Sequence, residues 1–296
     1  MRVDPSKPSA SPATGEAALL IPSRLRIPSA KRAAFVWGAA IGTLGGLVGL
    51  GGAEFRLPVL VGRFGWATLS AIVVNKIMSL IVVLAALAMR ALAVPLELLW
   101  THASVVLNVL AGSLVGAWWA AGWVMRLPRR VLDAVVGGLL VLLALWMLGH
   151  AWHPEWSGAA LHGMTPLARV GLGVVAGMAI GAVAAVLGVA GGELLIPTLV
   201  LLWGLDVKLA GSLSLCISLP TMLAGLLRYR RGPAWQAAMA ARGWLLVMAA
   251  GSVCGVALGV AALGWIPARP LLALLALLLL ISAIKVFGHA RRAVGG

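Results

Sequence analysis

The stretch Gly49-Leu-Gly-Gly-Ala-Glu-Phe-Arg-Leu-Pro-Val-Leu60 recurs in similar form, 139 residues later, as Gly188-Val-Ala-Gly-Gly-Glu-Leu-Leu-Ile-Pro-Thr-Leu199. Each copy places a glycine cluster, one carboxylate and one proline inside a long apolar segment. Glycine and proline interrupt helices, and a carboxylate costs free energy in hydrocarbon, so packing alone does not account for the motif. Two Gly/Pro-interrupted apolar segments in matching positions of two halves are the sequence pattern of a transporter binding site.

The composition predicts a membrane protein. The chain is 62% hydrophobic and 10% charged, whereas a soluble domain carries about 25% charged residues. Several apolar runs reach the ~20 residues that a spanning helix needs, and they are continuous rather than alternating, which disfavours a β-barrel. We therefore expect an all-α, polytopic helical membrane protein. The net charge of +15 is carried mostly at segment ends, which indicates topology signals and lipid headgroup contacts rather than nucleic-acid binding.

The apolar runs divide the chain into two repeats of four segments. We expect a disordered basic cytoplasmic tail (1–30), an N-terminal repeat (31–149), a connecting loop (150–166), a C-terminal repeat (167–288) and a cytoplasmic tail (289–296). The predicted segments lie near 33–62, 66–89, 98–125, 131–149, 168–203, 208–228, 243–263 and 270–287.

The motif-bearing segment that opens each repeat is too long for one crossing and too short for two. It is either a tilted, broken helix or a re-entrant hairpin that turns at the glycines. The hairpin leaves four cations outside (Arg90, Arg169, Lys208 and Arg269), and this distribution agrees better with the positive-inside rule. It also makes the two halves inverted repeats, with the N-terminus in the cytoplasm.

Glu54 and Glu193 are the first candidates for function, because ionisable groups at membrane depth usually mark a pathway. Each would act as a proton-coupling or gating acid. The alternative is a helix cap whose carboxylate accepts hydrogen bonds from nearby N–H groups.

The second segment of each repeat carries candidate substrate ligands. In the first half these are Asn75, Lys76 and Ser79, and Lys76 is expected to be the one cation well inside a span. Lys76 is either a counter-charge for an anion or the partner of Glu54 in an ion pair. In the second half Ser214, Ser218 and Thr221 share one helical stripe, although such hydroxyls often bond to their own backbone.

The glycine turns themselves favour an anion. A half-helix that begins after each turn has unpaired N–H groups and a positive dipole end, and glycine allows close approach to the backbone. We therefore expect Gly51, Gly52, Gly191 and Gly192 to contact the substrate. Arg56 is an accessory candidate that either adds charge or extends its guanidinium to the interface.

No catalytic or metal centre is predicted. Histidine and glutamate cluster at His150, His153, Glu155 and His162, but their spacing matches no strong ligand pattern, and we expect no cofactor. An intramembrane enzyme would need a nucleophile–base pair that the sequence does not present. A channel or a scaffold for other proteins remains an alternative to a carrier.

In these residues the chain resembles the sulfite exporter TauE/SafE family of bacterial membrane transporters. The resemblance covers roughly residues 33–288. It rests on the doubled glycine–glutamate–proline segment, on the Asn75-Lys76 pair and on the run from Ala210 to Gly232. It implies transport of sulfite, a sulfonate or a related sulfur compound across the bacterial inner membrane.

The sequence thus predicts a secondary transporter of small anions that works by alternating access, with proton coupling through the glutamates. Its expected partners are the lipid bilayer and the anionic solute. The sequence does not define an oligomeric state.

Overall fold

A computed structural model of the chain describes residues 22, 28–93, 96–123, 129–152, 164–187, 191–227, 230 and 232–292, and these residues form helices and short turns without strands. The expected tail before residue 22, most of the connecting loop and residues 293–296 lie outside the described residues. The helices are α1 (Pro28–Leu44, continued by a π-helical turn at Gly45–Gly49), α2 (Ala53–Gly62), α3 (Thr68–Ala93), α4 (Leu96–Thr101), α5 (Ala103–Trp123), α6 (Arg129–Trp152), α7 (Pro166–Leu187), α8 (Gly192–Trp203), α9 (Val207–Leu227), α10 (Pro233–Ala240), α11 (Arg242–Leu263) and α12 (Ala268–Arg292).

Five stretches within the described residues are long and apolar enough to cross a bilayer. They are Pro28–Gly49, Leu69–Leu92, Pro166–Ala184, Val207–Ala224 and Arg242–Leu263. Shorter apolar stretches in α5, α6, α8 and α12 accompany them. The all-helical membrane fold predicted from composition is confirmed. Several helices run past the predicted boundaries: α1 begins at Pro28, inside the expected tail, because proline is favoured at a first helical position.

The two halves repeat the same order of helices. The starts of α2 and α8 (Ala53 and Gly192) are 139 residues apart, and the same offset relates α3 to α9, α5 to α11 and α6 to α12. The motif offset seen in the sequence therefore extends over every long helix after the turn.

The opening helix of each half packs against the third long helix of the other half. In the first such pair, Gly251 of α11 lies against the backbone of Phe35 in α1, and Gly259 lies against Thr43. Residue numbers rise together along the contact, so α1 and α11 run parallel. A Cβ at either glycine would overlap the facing carbonyl group, which is why the interface needs glycine.

The second pair, α5 and α7, has the same design. Gly177 lies against Val109, and Gly181 lies against Ser113, again with backbone facing backbone and a parallel course. The glycines at four-residue spacing in these helices are therefore packing surfaces. Each surface joins the two halves of the chain rather than helices of one half.

Both glycine-rich turns reverse the chain. Gly52 lies against Ile41 of α1, although eleven residues separate them, and Gly191 lies against Ile180 of α7 at the same separation. An uninterrupted helix would place such residues ~16 Å apart along its axis. Each opening segment is therefore two helices that meet at a sharp turn.

The central helices α3 and α9 pack against each other and run antiparallel. Arg90, in the last turn of α3, donates hydrogen bonds to the Lys208 carbonyl oxygen (3.1 Å) and the Ser212 hydroxyl (3.1 Å). Both acceptors lie in the first two turns of α9, so the end of α3 is beside the start of α9.

Candidate functional site

The two glycine turns touch each other inside the protein. A Cβ on Gly192 would lie 3.2 Å from Leu50 Cδ2 and 3.6 Å from the Gly49 carbonyl oxygen. Gly49, Leu50, Gly191 and Gly192 are all buried. The motif copies, distant in sequence, thus form one contiguous element at the centre of the bundle.

Glycine is required at these turns by backbone geometry. Gly49, Gly52 and Gly191 have φ angles of 94°, 67° and 73°, in the left-handed region that other residues rarely adopt. Gly52 and Gly191 are the N-cap residues of α2 and α8, and they bring no side-chain acceptor to the first-turn N–H groups. Both short helices therefore begin at the shared turn, and the positive ends of their dipoles lie there.

Arg56 is buried beside the first turn, with 0% of its surface exposed. Its Nη1 donates to the Ser79 hydroxyl (3.0 Å) and lies 3.4 Å from the Gly51 carbonyl oxygen. Nε and Nη2 are buried and have no hydrogen-bond partner among the described residues. The side chain does not extend to the membrane interface, so that interpretation of Arg56 is wrong. Its guanidinium is instead held against two predicted ligands of the substrate.

The predicted ligands of α3 lie along the same turn. Asn75 Nδ2 donates to the Ala53 carbonyl oxygen (3.0 Å), while its buried Oδ1 has no partner among the described residues. Lys76 is buried, with 8% of its surface exposed, and Ser79 is fully buried against Arg56. Asn75, Ser79, Arg56 and the first glycine turn therefore form one polar cluster in an otherwise apolar core.

The hydroxyls of α9 are used in different ways. Ser214 Oγ lies 3.0 Å from the Gly49 carbonyl oxygen and 2.8 Å from that of Gly211, so it ties the first turn to α9. Ser218 is buried one turn further along. The Thr221 hydroxyl lies 2.8 Å from the Ser218 carbonyl oxygen and 3.2 Å from that of Ile217, within its own helix. Its proton is therefore committed to the backbone.

The two motif glutamates differ in their surroundings. Glu193, in the first turn of α8, is 5% exposed, and its Oε1 accepts a hydrogen bond from the Ser282 hydroxyl of α12 (3.0 Å). Glu54, in the first turn of α2, is only partly buried and acts electrostatically on Arg56. Both carboxylates sit at the positive end of a helix dipole, which favours a negative charge there.

Arg90 is a buried cation, although it was predicted to lie outside the membrane, just past the end of a spanning segment. It is 1% exposed, and besides its bonds to α9 it donates to the carbonyl oxygens of Gly46 (3.0 and 3.1 Å) and Leu47 (2.8 Å). The expectation that Lys76 is the one cation inside a span is therefore wrong, since Arg56 and Arg90 are buried as well. Residue 90 lies near the end of an apolar run, and sequence does not distinguish an arginine that leaves the bundle from one that turns into it.

The histidine cluster of the connecting loop is mostly outside the described residues, because His153, Glu155 and His162 all fall there. His150 lies in the last turn of α6 and stacks on Trp146, with ring centroids 5.3 Å apart. Among the described residues, no group of three or more potential metal ligands is found.

Comparison with known proteins supplies one match. The family model for the sulfite exporter TauE/SafE matches residues 34–286, which is most of the chain. No curated protein and no solved structure matches it.

Proposed function

The chain belongs to the sulfite exporter TauE/SafE family of membrane transporters, and on that premise we propose that it carries a small oxyanion across the bacterial inner membrane. Members of this family are transporters rather than enzymes. The proposed solute is sulfite, a sulfonate or a related sulfur compound. The proposed site is the shared glycine turn together with Arg56, Asn75, Lys76 and Ser79.

The observation that carries this proposal is the buried guanidinium of Arg56. Moving a cation out of water is costly unless an opposite charge and hydrogen bonds compensate it. Arg56 uses one nitrogen on Ser79, while its Nε and Nη2 have no partner among the described residues. Two N–H-bearing atoms in a fixed fork match the oxygen atoms of an oxyanion.

The glycine turns add neutral donors to this charge. The first turns of α2 and α8 bring the positive ends of two helix dipoles to the shared turn, and glycine allows oxygen atoms to approach the backbone. Gly51, Gly52, Gly191 and Gly192 supply this surface. Lys76 adds a second cation on α3, and Asn75 and Ser214 hold the turn in place.

The glutamates would couple the anion to protons. An ionised Glu54 acts on Arg56 and would compete with a bound anion, because like charges repel. Protonation of Glu54 would release Arg56 to the solute, and Glu193 would act in the same sense at the second turn. Transport is therefore proposed to be faster when these carboxyl groups are protonated.

Alternating access would come from the two halves, which we propose to be inverted repeats. The reversals at Gly52 and Gly191 return each opening segment towards its own side, and three long helices follow in each half. The antiparallel course of α3 and α9 agrees with this plan, since repeats of the same orientation would make them parallel. The N-terminus would then be cytoplasmic, and the Arg90–Lys208 end of the bundle would face outward.

Counterflow in proteoliposomes tests the proposal. Vesicles loaded with unlabelled sulfite, in oxygen-free buffer, should accumulate labelled sulfite transiently, which a channel or a scaffold does not produce. Replacing Arg56 with glutamine should lower the initial rate at least tenfold, while Arg56→Lys should retain part of it. Arg63→Gln is the matched control, because Arg63 is the exposed arginine at the end of the same helix and should leave the rate unchanged.

Folding must be separated from transport in this experiment. Each variant should elute as a single species and should melt within a few degrees of the parent before its rate is compared. Sulfite counterflow that survives Arg56→Gln, or no counterflow by the parent with any sulfur oxyanion, would contradict the proposal.

A further inference from the structure

A cavity lies at one end of the bundle, away from the glycine turns. It has a volume of about 380 Å³, and its polar lining consists of His150, Asp206 and Arg269. That volume falls within the roughly 300–1,000 Å³ range of ligand pockets. At ~30 Å³ per water molecule it holds about a dozen waters, which is room for a hydrated ion or a headgroup.

The cavity is far from the proposed transport site. Ala268 and Arg269 line it at the start of α12, whereas Ser282, fourteen residues later, contacts Glu193. At 1.5 Å per residue the two points are ~20 Å apart along α12. The cavity therefore does not belong to the cluster around Arg56.

The N-terminus of α12 faces this cavity. Ala268 and Arg269 are the first two residues of a 25-residue helix, so their N–H groups have no acceptor within it. Arg269 is exposed and adds a full positive charge to the dipole end. This combination of N–H groups and a guanidinium is suited to an oxyanion.

Another residue of the lining, His150, carries a buried polar atom without a partner among the described residues. His150 is 8% exposed, and its Nδ1 has no hydrogen-bond partner among the described residues. Stacking against Trp146 fixes the plane of its ring. Buried polar atoms in folded proteins nearly always have a hydrogen-bond partner, so this nitrogen lacks a group that the described residues do not supply.

Asp206 is the one carboxylate in the lining, and it is already engaged. Its Oδ1 accepts a hydrogen bond from the Lys208 N–H (2.8 Å), as an N-cap of α9 does. The cap sets the position of the acid at the start of α9 and uses one of its oxygen atoms.

We propose that this cavity is a second oxyanion-binding site, formed by the α12 N-terminus, Arg269 and His150. It lies at the membrane face where α9 begins, the face at which Arg90 joins α3 to α9. A sulfate-like free anion and the phosphate group of a lipid share the required chemistry. The site does not depend on the transport proposal, because none of its residues belongs to that site.

Equilibrium binding of labelled sulfate to the full chain in nanodiscs tests this site. The Arg56→Gln background should be used, so that binding at the glycine turns does not mask the second site. Arg269→Gln should weaken sulfate binding at least tenfold, and His150→Gln should weaken it severalfold. Arg242→Gln is the matched control, since Arg242 is an exposed arginine in the first turn of α11 and does not line the cavity.

Two lipid compositions distinguish the sources of the anion. In phosphatidylcholine nanodiscs with sulfate present, Arg269-dependent binding identifies a site for free anions. Native mass spectrometry of protein from phosphatidylglycerol-containing nanodiscs would show one retained lipid, lost in Arg269→Gln, if a headgroup is the ligand. If Arg269→Gln and His150→Gln match Arg242→Gln in both experiments, the inference is wrong. If the parent chain shows no sulfite counterflow, the sulfate-binding result still tests this second site.

Discussion

Replacing Arg90 with glutamine should destabilise the whole bundle, although residue 90 is close to the end of its helix. The guanidinium donates to the carbonyl oxygens of Gly46, Leu47 and Lys208 and to the Ser212 hydroxyl. It therefore connects the π-helical turn of one half to the start of α9 in the other. Glutamine is shorter and carries one NH₂ group, so it can satisfy at most two of these acceptors.

The size of the effect follows from the lost hydrogen bonds. Each hydrogen bond contributes about 1 kcal/mol net in proteins and about 0.6 kcal/mol on average between membrane helices. Arg90 makes five such bonds, and losing three to five of them, with some carbonyl groups left unsatisfied in the core, should cost about 3 kcal/mol. For a chain of this size, 1 kcal/mol of stability corresponds to about 2–4 °C in the midpoint temperature of thermal unfolding. The midpoint should therefore fall by about 6–12 °C.

The measurement is thermal unfolding of the detergent-purified protein, followed by intrinsic fluorescence of its 13 tryptophans. Arg242→Gln serves as the control and should shift the midpoint by no more than a degree or two, because Arg242 is exposed. A midpoint for Arg90→Gln that equals the control would refute the reasoning, since the buried guanidinium would then not hold the two halves together.

Three further outcomes are expected. Gly181→Ala should cost about 1–3 kcal/mol by overpacking the α5–α7 interface, while Gly171→Ala in the same helix, where a Cβ meets nothing within 4 Å, should be nearly neutral in the same melting assay. Glu193→Gln should keep the hydrogen bond from Ser282 but make sulfite counterflow less dependent on pH. In the parent the counterflow rate should rise as pH falls, because a protonated acid does not repel the anion. A variant with the same pH profile as the parent would argue against coupling through this residue. In a background without native cysteines, a thiol at position 63 should be labelled only from the cytoplasmic side and one at position 91 only from outside; the reverse pattern at either position would exclude the inverted arrangement.

The membrane class and the functional motif could be predicted from local sequence. Continuous apolar runs dictate helices in lipid, because every backbone polar group must be satisfied within its own segment. Positions with positive φ are occupied by glycine, which is visible in the sequence, and the doubled motif therefore predicted where both turns lie. Asn75 and Ser79 were also accessible to this reasoning, because polar residues in an apolar run are conspicuous.

The direction in which long side chains point was not accessible. Arg56 and Arg90 each lie near the end of an apolar run, where an arginine commonly extends to the interface. In the folded protein both turn inward, since carbonyl and hydroxyl acceptors from other helices converge on them. Those acceptors come from residues as far as 122 positions away, as with Arg90 and Ser212.

The sequence by itself determined that this chain is a helical membrane protein with two matching glycine turns, because hydrophobicity and backbone conformation are properties of neighbouring residues. Only the tertiary structure decided that the turns meet and that each opening helix packs on the opposite half. Only the tertiary structure also placed two arginines in the core. The helix packing depends on which glycine-lined surfaces allow the backbone of another helix to come close. The position of a buried cation depends on which hydrogen-bond acceptors lie within its reach. In both cases the partner helices are far apart in sequence.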